Sequence, residues 1–252
     1  MSILLANDDG VDAEGLRELA QALSGLDDLY ISAPSKNRSG VGMSITISDP
    51  MSAKRHSDWP GVKERWSIDG TPADAVKYGL QHLLKNNPPR LVVSGINLGA
   101  NVGRNVRCSG TVGAAFEGLV SGFPALAVSV DYDLPTNWAG AKHYARLASE
   151  KLLELSRAES RLMFNLNVPS LPVDKIKGLK LTRHGSGGYL DNMIPHSQPG
   201  SYTLGADWLD PAIDSDCDAR ALSDGFATIT PMRHEMTDQR MLDLLQSEWK
   251  PA

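Results

Sequence analysis

The sequence has little cysteine and no long apolar run. Its two cysteines, Cys108 and Cys217, are too few for a disulfide framework and too far apart for a CxxC redox pair or a zinc ribbon. No run approaches the ~20 apolar residues that a membrane span needs. The N-terminus, MSILLANDDG, lacks the basic segment and the long apolar segment of a secretory signal. We therefore expect a cytoplasmic protein with no membrane partner.

Positive charge is also scarce. The 25 lysine and arginine residues are outnumbered by 30 acidic residues, which gives a formal net charge of −5. Binding of a nucleic-acid polymer depends on a basic excess, so such a partner is disfavoured. Small phosphate compounds are not excluded, because a metal ion and backbone amides can bind an anion on a mildly acidic protein.

Several catalytic motifs are absent. No GKS or GKT follows the glycines between 99 and 113, and these glycines do not spell GxGxxG. If Cys108 were the nucleophile of a cysteine phosphatase, its loop would need an arginine at position 114, where this chain has alanine. There is no DxDxT of an aspartyl-phosphate hydrolase, no GxSxG elbow, and no HxH or HExxH pair among the six histidines. These classes of enzyme are therefore disfavoured, and we read the histidines as surface or structural residues.

The apolar pattern predicts an α/β fold. Short apolar runs at 3–6, 29–33, 91–93 and 125–130 read as buried strands, and helices are predicted after position 12, over 71–85, from position 110 and over 138–155. Strands that alternate with amphipathic helices indicate a Rossmann-like, mostly parallel sheet flanked by helices, here the core formed by residues 1–160. Ligands of such sheets bind beyond the carboxyl ends of the strands.

Residues 161–252 are predicted to add the remaining strands of the core, a protruding hairpin and a C-terminal helix, within one domain overall. Strands are predicted at 162–168, 179–182 and 226–230, and a helix over 237–249. The stretch 184–218 is too long for an ordinary connection and suggests a protruding hairpin, with Tyr202-Thr203-Leu204 as one arm. Its large apolar residues predict an interface between copies of the chain, in a homodimer or homotetramer; the alternative is a free arm or an active-site lid. These residues are Tyr189, Tyr202, Leu204, Trp208 and Leu209.

Asp8 and Asp9 directly follow the first predicted strand. Two neighbouring carboxylates at the end of a buried strand repel each other and lose solvation, which is unfavourable unless a cation joins them. Mg²⁺ or Mn²⁺ would take these carboxylates together with neutral oxygens, water and a substrate phosphate. The alternative is that one of the two aspartates merely caps the helix that begins near Asp12.

Other strand ends provide further polar groups. Ser39 and Asn97 follow neighbouring strands and could complete a cation site with a hydroxyl and an amide oxygen, although both are also common turn residues. Ser109-Gly110-Thr111 opens a helix whose free amides and positive dipole end would receive a phosphate. Its plainer interpretation is an ordinary helix start.

An ordered set of motifs resembles the SurE survival-protein family. The set is highly specific and covers residues 7 to about 118, with weaker similarity beyond, at FNLNVP (164–169) and Thr230-Pro231. In chain order the motifs are NDDG (7–10), Pro34-Ser35 with RSG (38–40), DGTPAD (69–74), SGINLGAN (94–101) and SGTVGAA (109–115).

The resemblance implies a Rossmann-like domain with a swapped C-terminal region and 5'/3'-nucleotidase activity in the cytoplasm. It implies one divalent cation per subunit held by Asp8, Asp9, Ser39 and Asn97, with activity on nucleoside 5'- and 3'-monophosphates and on short polyphosphate. Two positions depart from the family pattern: Asn105 and Cys108 stand where the family usually has aspartate and tyrosine. They put the substrate preference in question and leave the metal ligands untouched.

Two functions compete at this point. In a metal phosphatase, the cation neutralises phosphoryl oxygens and acidifies a water that attacks phosphorus, with Asp8 as base or orienting carboxylate; the sequence leaves open that Asp8 is the nucleophile. Asn97 belongs with Asp8 and Asp9 among the catalytic candidates, and Asn97, Ser109, Gly110 and Thr111 are the candidates for phosphate binding. In a non-catalytic nucleotide sensor, backbone amides and basic side chains would suffice.

Overall fold

A nine-stranded sheet forms the centre of the protein. The computed structural model describes residues 1–159, 161–209 and 216–249. The strands of the central sheet are β1 (Ser2–Ala6), β2 (Asp28–Pro34), β3 (Ala53–His56), β4 (Val62–Ile68), β5 (Leu91–Leu98), β6 (Ala125–Val130), β7 (Met163–Val168), β8 (Leu179–Leu181) and β11 (Ala227–Met232). A separate pair, β9 (Gly188–Pro195) and β10 (Tyr202–Leu209), forms an antiparallel hairpin.

The strands lie in the order β3-β4-β2-β1-β5-β6-β7-β11-β8. All neighbours are parallel except β3 with β4 and β11 with β7. The predicted mostly parallel α/β fold is confirmed. Because β2, β1 and β5 are parallel neighbours, the segments that follow them emerge together at one edge of the sheet.

Helices cover both faces of the sheet. α1 (Glu14–Leu23) and α4 (Trp138–Leu155) bury leucine and alanine side chains against β1, β5 and β6 on one face. α2 (Pro72–Tyr78) and α3 (Gly110–Val120) cover the other face, where Val76 and Ala114 pack with Leu4, Ala6 and Val92. Burial of apolar side chains on both faces accounts for the continuous apolar runs of the central strands.

Several predicted elements are confirmed, and α4 matches its predicted range of 138–155. The predicted helix over 71–85 begins with a Thr71–Asp74 capping box, but α2 ends at Tyr78 and passes into a π-helical turn, Gly79–Leu83. A Cβ atom at position 79 would lie 2.7 Å from Leu4, so this turn packs tightly on β1. The strand predicted at 91–93 continues to Leu98 and therefore includes Asn97.

The second half of the chain completes the same sheet. β7, β11 and β8 extend it beyond β6, and the short α5 (Asp218–Ser223) packs near β11. The predicted hairpin arm at 202–204 is part of β10. At the C-terminus, α6 (Gln239–Glu248) has no buried residue. Within the described ranges, no helix is long and apolar enough to cross a membrane.

Candidate active site at the carboxyl edge of the sheet

The turn after β1 presents two carboxylates. Asn7 is buried and closes this turn: its side-chain amide donates to the Gly10 carbonyl at 2.9 Å, and the Gly10 N–H donates back to Asn7 Oδ1 at 3.2 Å. Gly10 has a φ of +111°, which favours glycine. The chain therefore reverses immediately after β1 and holds Asp8 and Asp9 at the edge of the sheet.

Asp8 lies against the start of α3. It is 3% exposed, and its Oδ1 accepts a hydrogen bond from the Thr111 hydroxyl at 2.5 Å. Burial raises the pKa of Asp8, while hydrogen bonds from Thr111 and the Gly110 backbone partly offset the rise. A Cβ atom at position 110 would lie 2.8 Å from Asp8 Cβ, so glycine at the start of the helix allows this close approach.

Asp9 is more accessible than Asp8. Burial and then the negative charge of Asp8 raise its pKa to about 6, and a hydrogen bond from the Asn37 side chain at 3.1 Å acts in the opposite direction. Both carboxylates are thus held where ionisation is unfavourable in the protein alone. A bound cation would remove this penalty, so the pair fits a cation site.

The loop after β2 is tied to both aspartates. The Arg38 N–H donates to the Asp8 carbonyl at 2.7 Å, and the Ser39 N–H donates to Asn37 Oδ1 at 2.9 Å, while the amide of Asn37 contacts Asp9. Ser39 is exposed and its hydroxyl makes no hydrogen bond within the described residues. These contacts bring the predicted Ser39 to the edge that carries Asp8 and Asp9.

Asn97 reaches the same edge from β5, the neighbour of β1. Its Nδ2 donates to the Gly99 carbonyl at 2.6 Å. With the amide nitrogen engaged, Oδ1 is the atom that remains to bind a cation or an N–H donor. In the described part of the chain, neither Asn97 nor Ser39 hydrogen-bonds Asp8 or Asp9.

Ser109, Gly110 and Thr111 form the start of α3, as predicted. Ser109 is the N-cap, and its Oγ accepts from the Val112 N–H at 3.1 Å. The side-chain hydroxyl of Thr111, which the sequence assigned to phosphate, donates to Asp8. The helix start and the aspartate pair therefore form one continuous site, and the phosphate-binding role of these residues stays a prediction.

The donor set is suited to a hard cation. Two carboxylates, a hydroxyl and an amide oxygen are the ligand types that Mg²⁺ and Mn²⁺ prefer. Among the described residues, no three histidine, cysteine or acidic side chains lie close enough together to hold a metal. The residues present thus fit a hard cation such as Mg²⁺ or Mn²⁺; the cation itself stays a prediction.

Sequence reasoning missed the residues that support this site. Asn7 and Asn37 hold the two loops, and Arg38 provides a cation whose Nε is buried without a hydrogen-bond partner. Asn7 lies in the NDDG motif and Arg38 in the RSG motif, but neither residue was assigned a role. The asparagines lie in turns, where asparagine is common and carries little information.

A second missed group is a buried polar cluster under the loop that joins β5 to α3. Asn167 Oδ1 accepts from the Asn101 N–H at 2.7 Å, and Asn165 and Asn167 donate to the Asn101 carbonyl at 2.8 and 3.1 Å. The Asn101 side chain donates to Ser129 Oγ at 2.8 Å. The alternation of Asn165 and Asn167 in a buried strand was the available signal, because buried polar side chains need partners.

Together the fold and the edge define a class: a doubly wound α/β protein with an acidic, oxygen-rich site where parallel strands end. The family model described as "Survival protein SurE" matches residues 3–191. Curated relatives point to the same family along nearly the whole chain. The 5'-nucleotidase SurE of Syntrophus aciditrophicus is 39% identical over 251 residues, which cover 98% of this chain and 93% of the relative.

The 5'/3'-nucleotidase SurE of Escherichia fergusonii is 39% identical over 259 residues, covering 99% of this chain and 96% of the relative. The crystal structure of the SurE protein from Aquifex aeolicus superposes with a TM-score of 0.84 at 30% identity, covering 98% of this chain and 99% of that one. The chain belongs to the SurE family.

Proposed function

We propose that this chain is a nucleotidase that hydrolyses nucleoside 5'- and 3'-monophosphates with the help of one divalent cation per subunit, Mg²⁺ or Mn²⁺. The observation that carries the proposal is the Asp8-Asp9 pair, held with raised pKa values against the start of α3. The names of the relatives, 5'-nucleotidase and 5'/3'-nucleotidase, support the substrate class.

Asp8, Asp9, Ser39 and Asn97 would hold the cation. When bound, it would withdraw charge from the phosphoryl oxygens and increase the acidity of a coordinated water. The free Oδ1 of Asn97 and the unbonded hydroxyl of Ser39 suit this assignment. Asp8 is better placed to orient ligands than to attack phosphorus, because it is almost fully buried and already accepts the Thr111 hydroxyl.

Ser109, Gly110 and Thr111 would bind the phosphate at the start of α3. Backbone amides at a helix start and the helix dipole favour a bound anion, and Gly110 lets this helix start lie directly against Asp8. Arg38, which forms an ion pair with Asp69 at 3.6 Å, brings a guanidinium group to the same edge. In the reaction, water forms a new bond to phosphorus, the bond to the nucleoside oxygen breaks, and that oxygen takes a proton, releasing nucleoside and phosphate.

Small phosphate esters and short-chain polyphosphate are further proposed substrates, since a site at the start of a helix recognises the phosphoryl group itself. The chain has 25 basic against 30 acidic residues, so binding of a nucleic-acid polymer is not proposed. Specificity for the nucleoside would come from the surroundings of the site, where Asn105 and Cys108 depart from the family pattern.

The decisive assay measures phosphate release from 5'-AMP, 3'-AMP and p-nitrophenyl phosphate in Mn²⁺, after EDTA, and after Mn²⁺ is restored. We expect phosphate release to stop after EDTA is added and to recover when Mn²⁺ is restored. Asp9→Asn should lower turnover by orders of magnitude, because it removes a charged ligand. Nucleotide binding without turnover, in either Mn²⁺ or Mg²⁺, would contradict the proposal and favour a nucleotide sensor.

A further inference from the structure

A ligand-sized cavity lies beside the candidate active site. Its volume is about 540 Å³, within the range of small-molecule pockets. It is bounded by the 3₁₀ turn Gly103–Cys108, by α3, and by the segment that follows β11. We call it the arginine pocket, because Arg104, Arg107 and Arg233 line it.

The charge of the arginine pocket is not balanced by acids. In the described part of the chain, none of these three arginines forms an ion pair, whereas Arg65, Arg90 and other arginines of the protein do. His184, which also lines the pocket, is fixed from behind by the buried Asp218, with 2.9 Å between Nδ1 and Oδ2. Three guanidinium groups without an ion pair, on a chain of net charge −5, favour an anionic ligand with more than one charge.

The rest of the pocket wall is apolar. Phe116 projects from α3, and Val106, Met43 and Met232 complete a surface of aromatic, branched and thioether groups. Methionine and phenylalanine surfaces accommodate flat rings, and methionine adapts to their outline. A wall that combines such a surface with guanidinium groups matches a ligand with a planar ring and a phosphate.

The pocket adjoins the candidate active site along two segments. The turn Gly103–Cys108 forms one of its walls and runs directly into Ser109 at the start of α3. Met43 lies four residues beyond Ser39, and the Gly42 N–H donates to the Cys108 carbonyl at 2.9 Å. A ligand whose phosphate lies at the start of α3 would therefore have the pocket next to it.

We infer that the arginine pocket receives the base and the second phosphate of a nucleotide whose first phosphate lies at the start of α3. The inference rests on the proposed function and deepens it. The preferred substrates are then nucleoside bisphosphates, which carry phosphates at two positions, rather than nucleoside monophosphates.

Calorimetric titration with adenosine 3',5'-bisphosphate and with 5'-AMP tests this on the intact chain. We expect the bisphosphate to bind about tenfold more tightly or better, since hydrogen bonds to a charged group contribute ~1.5–3 kcal/mol. Arg104→Gln, Arg107→Gln and Arg233→Gln should each reduce this preference severalfold. Arg157→Gln is the matched control: Arg157 is exposed, has no side-chain partner in the described residues and follows α4 at the other end of the molecule.

Equal affinities for the two nucleotides would overturn the inference. So would a reduction of the bisphosphate preference in Arg157→Gln as large as in the variants of the pocket arginines. Inorganic pyrophosphate bound as tightly as the bisphosphate would overturn the role of the ring. Hydrolysis of p-nitrophenyl phosphate separates this failure from failure of the proposed function, because that ester has no second phosphate. If p-nitrophenyl phosphate is hydrolysed but the bisphosphate binds no more tightly than 5'-AMP, only the pocket assignment fails. If the arginines contribute to bisphosphate binding but no ester is hydrolysed, only the proposed function fails.

Discussion

At the scale of single residues, the site depends on where β1 ends. Asn7 and Gly10 reverse the chain within four residues, so that Asp8 and Asp9 are held together at the sheet edge instead of separating into solvent. The raised pKa values of both aspartates have burial as their main cause. A cation that joins the two groups would turn this unfavourable arrangement into a binding site.

Thr111 gives the sharpest prediction at this scale. Its hydroxyl holds the Asp8 carboxylate at 2.5 Å, so Thr111→Val should weaken the site through Asp8. We expect the Mn²⁺ concentration for half-maximal activity to rise about tenfold, the effect of losing one hydrogen bond to a charged group. Thr111→Ser keeps the hydroxyl and should stay near the wild-type requirement. An unchanged Mn²⁺ requirement with weaker inhibition by phosphate would instead assign this hydroxyl to the anion.

The sequence was informative about charged residues and less so about their supports. Asp8, Asp9 and Ser109 could be placed at one edge because each adjoins a predicted strand or helix end. The contact between Thr111 and Asp8 could not be predicted, since it spans 103 positions and depends on how α3 packs against β1. Asn37 was missed for a similar reason: nothing in a turn asparagine indicates that it will reach Asp9.

At the scale of elements, the loop between β5 and α3 joins the two halves of the site and is fixed at two points. The asparagine cluster under the loop holds both backbone groups of Asn101. Asp218 at the start of α5 is fully buried and accepts hydrogen bonds from the Gly103 and Gly185 N–H groups and from His184. Asp218 thereby connects the loop to the base of the β9–β10 hairpin.

Asp218 also gives a prediction about pH. Burial would raise its pKa, but hydrogen bonds from His184 and the amides of Gly103 and Gly185 outweigh burial and lower it below the ordinary 3.8. The stabilisation is therefore complete above pH 3.8 and is lost as the pH falls through the lower folded-state pKa. Asp218→Asn should lower the free energy of unfolding by about 1.5–3 kcal/mol at pH 7, and this difference should shrink at acid pH.

Urea unfolding at pH 7 and at successively lower pH measures this difference. Asp224→Asn is the control, since Asp224 lies at the end of the same helix in an exposed pair with Arg220 and should change stability by no more than about 0.5 kcal/mol. If the decrease in the free energy of unfolding caused by Asp218→Asn stayed constant down to the acid transition, the role of the Asp218 charge would be contradicted.

Two strands of the central sheet, β3 and β4, were not predicted from the sequence, and they share one property. β3 is largely exposed, and β4 (VKERWSI) is mostly buried or half-buried but carries charged residues among its apolar ones, so neither shows the continuous apolar run that revealed β1, β5 and β6. The division of the predicted helix at Gly79 depends on its packing against Leu4 in another element. Local pattern predicted the buried centre of the sheet and the edge strand β8, and it missed the two strands at the opposite edge.

At the scale of the whole molecule, apolar surface remains uncovered at the C-terminus and on the hairpin. α6 buries none of its residues, and Met241, Leu242, Leu244 and Leu245 are all exposed on it. Tyr202 and Leu204 are exposed on β10, while the side chains of Tyr189, Trp208 and Leu209 lie outside the described residues. This surface supports the prediction of a homodimer or homotetramer, with the C-terminal region exchanged between subunits.

A single charge on α6 should test that prediction. Leu245→Asp places a carboxylate on the uncovered face and should shift the mass in light scattering from an oligomer toward the single chain. Leu147→Asp is the control, because Leu147 on α4 has almost the same exposure, 44% against 40% for Leu245. A monomeric mass for the intact, active wild type would contradict the predicted assembly.

Calorimetric titration with Mn²⁺ measures directly whether Asp8 and Asp9 hold the cation on which we propose that hydrolysis depends. Asp131→Asn is the control, since Asp131 follows β6 at the same sheet edge and burial also raises its pKa. We expect one Mn²⁺ per chain for the wild type and for Asp131→Asn, and no measurable Mn²⁺ binding for Asp9→Asn. One Mn²⁺ bound by Asp9→Asn with wild-type affinity would contradict this assignment.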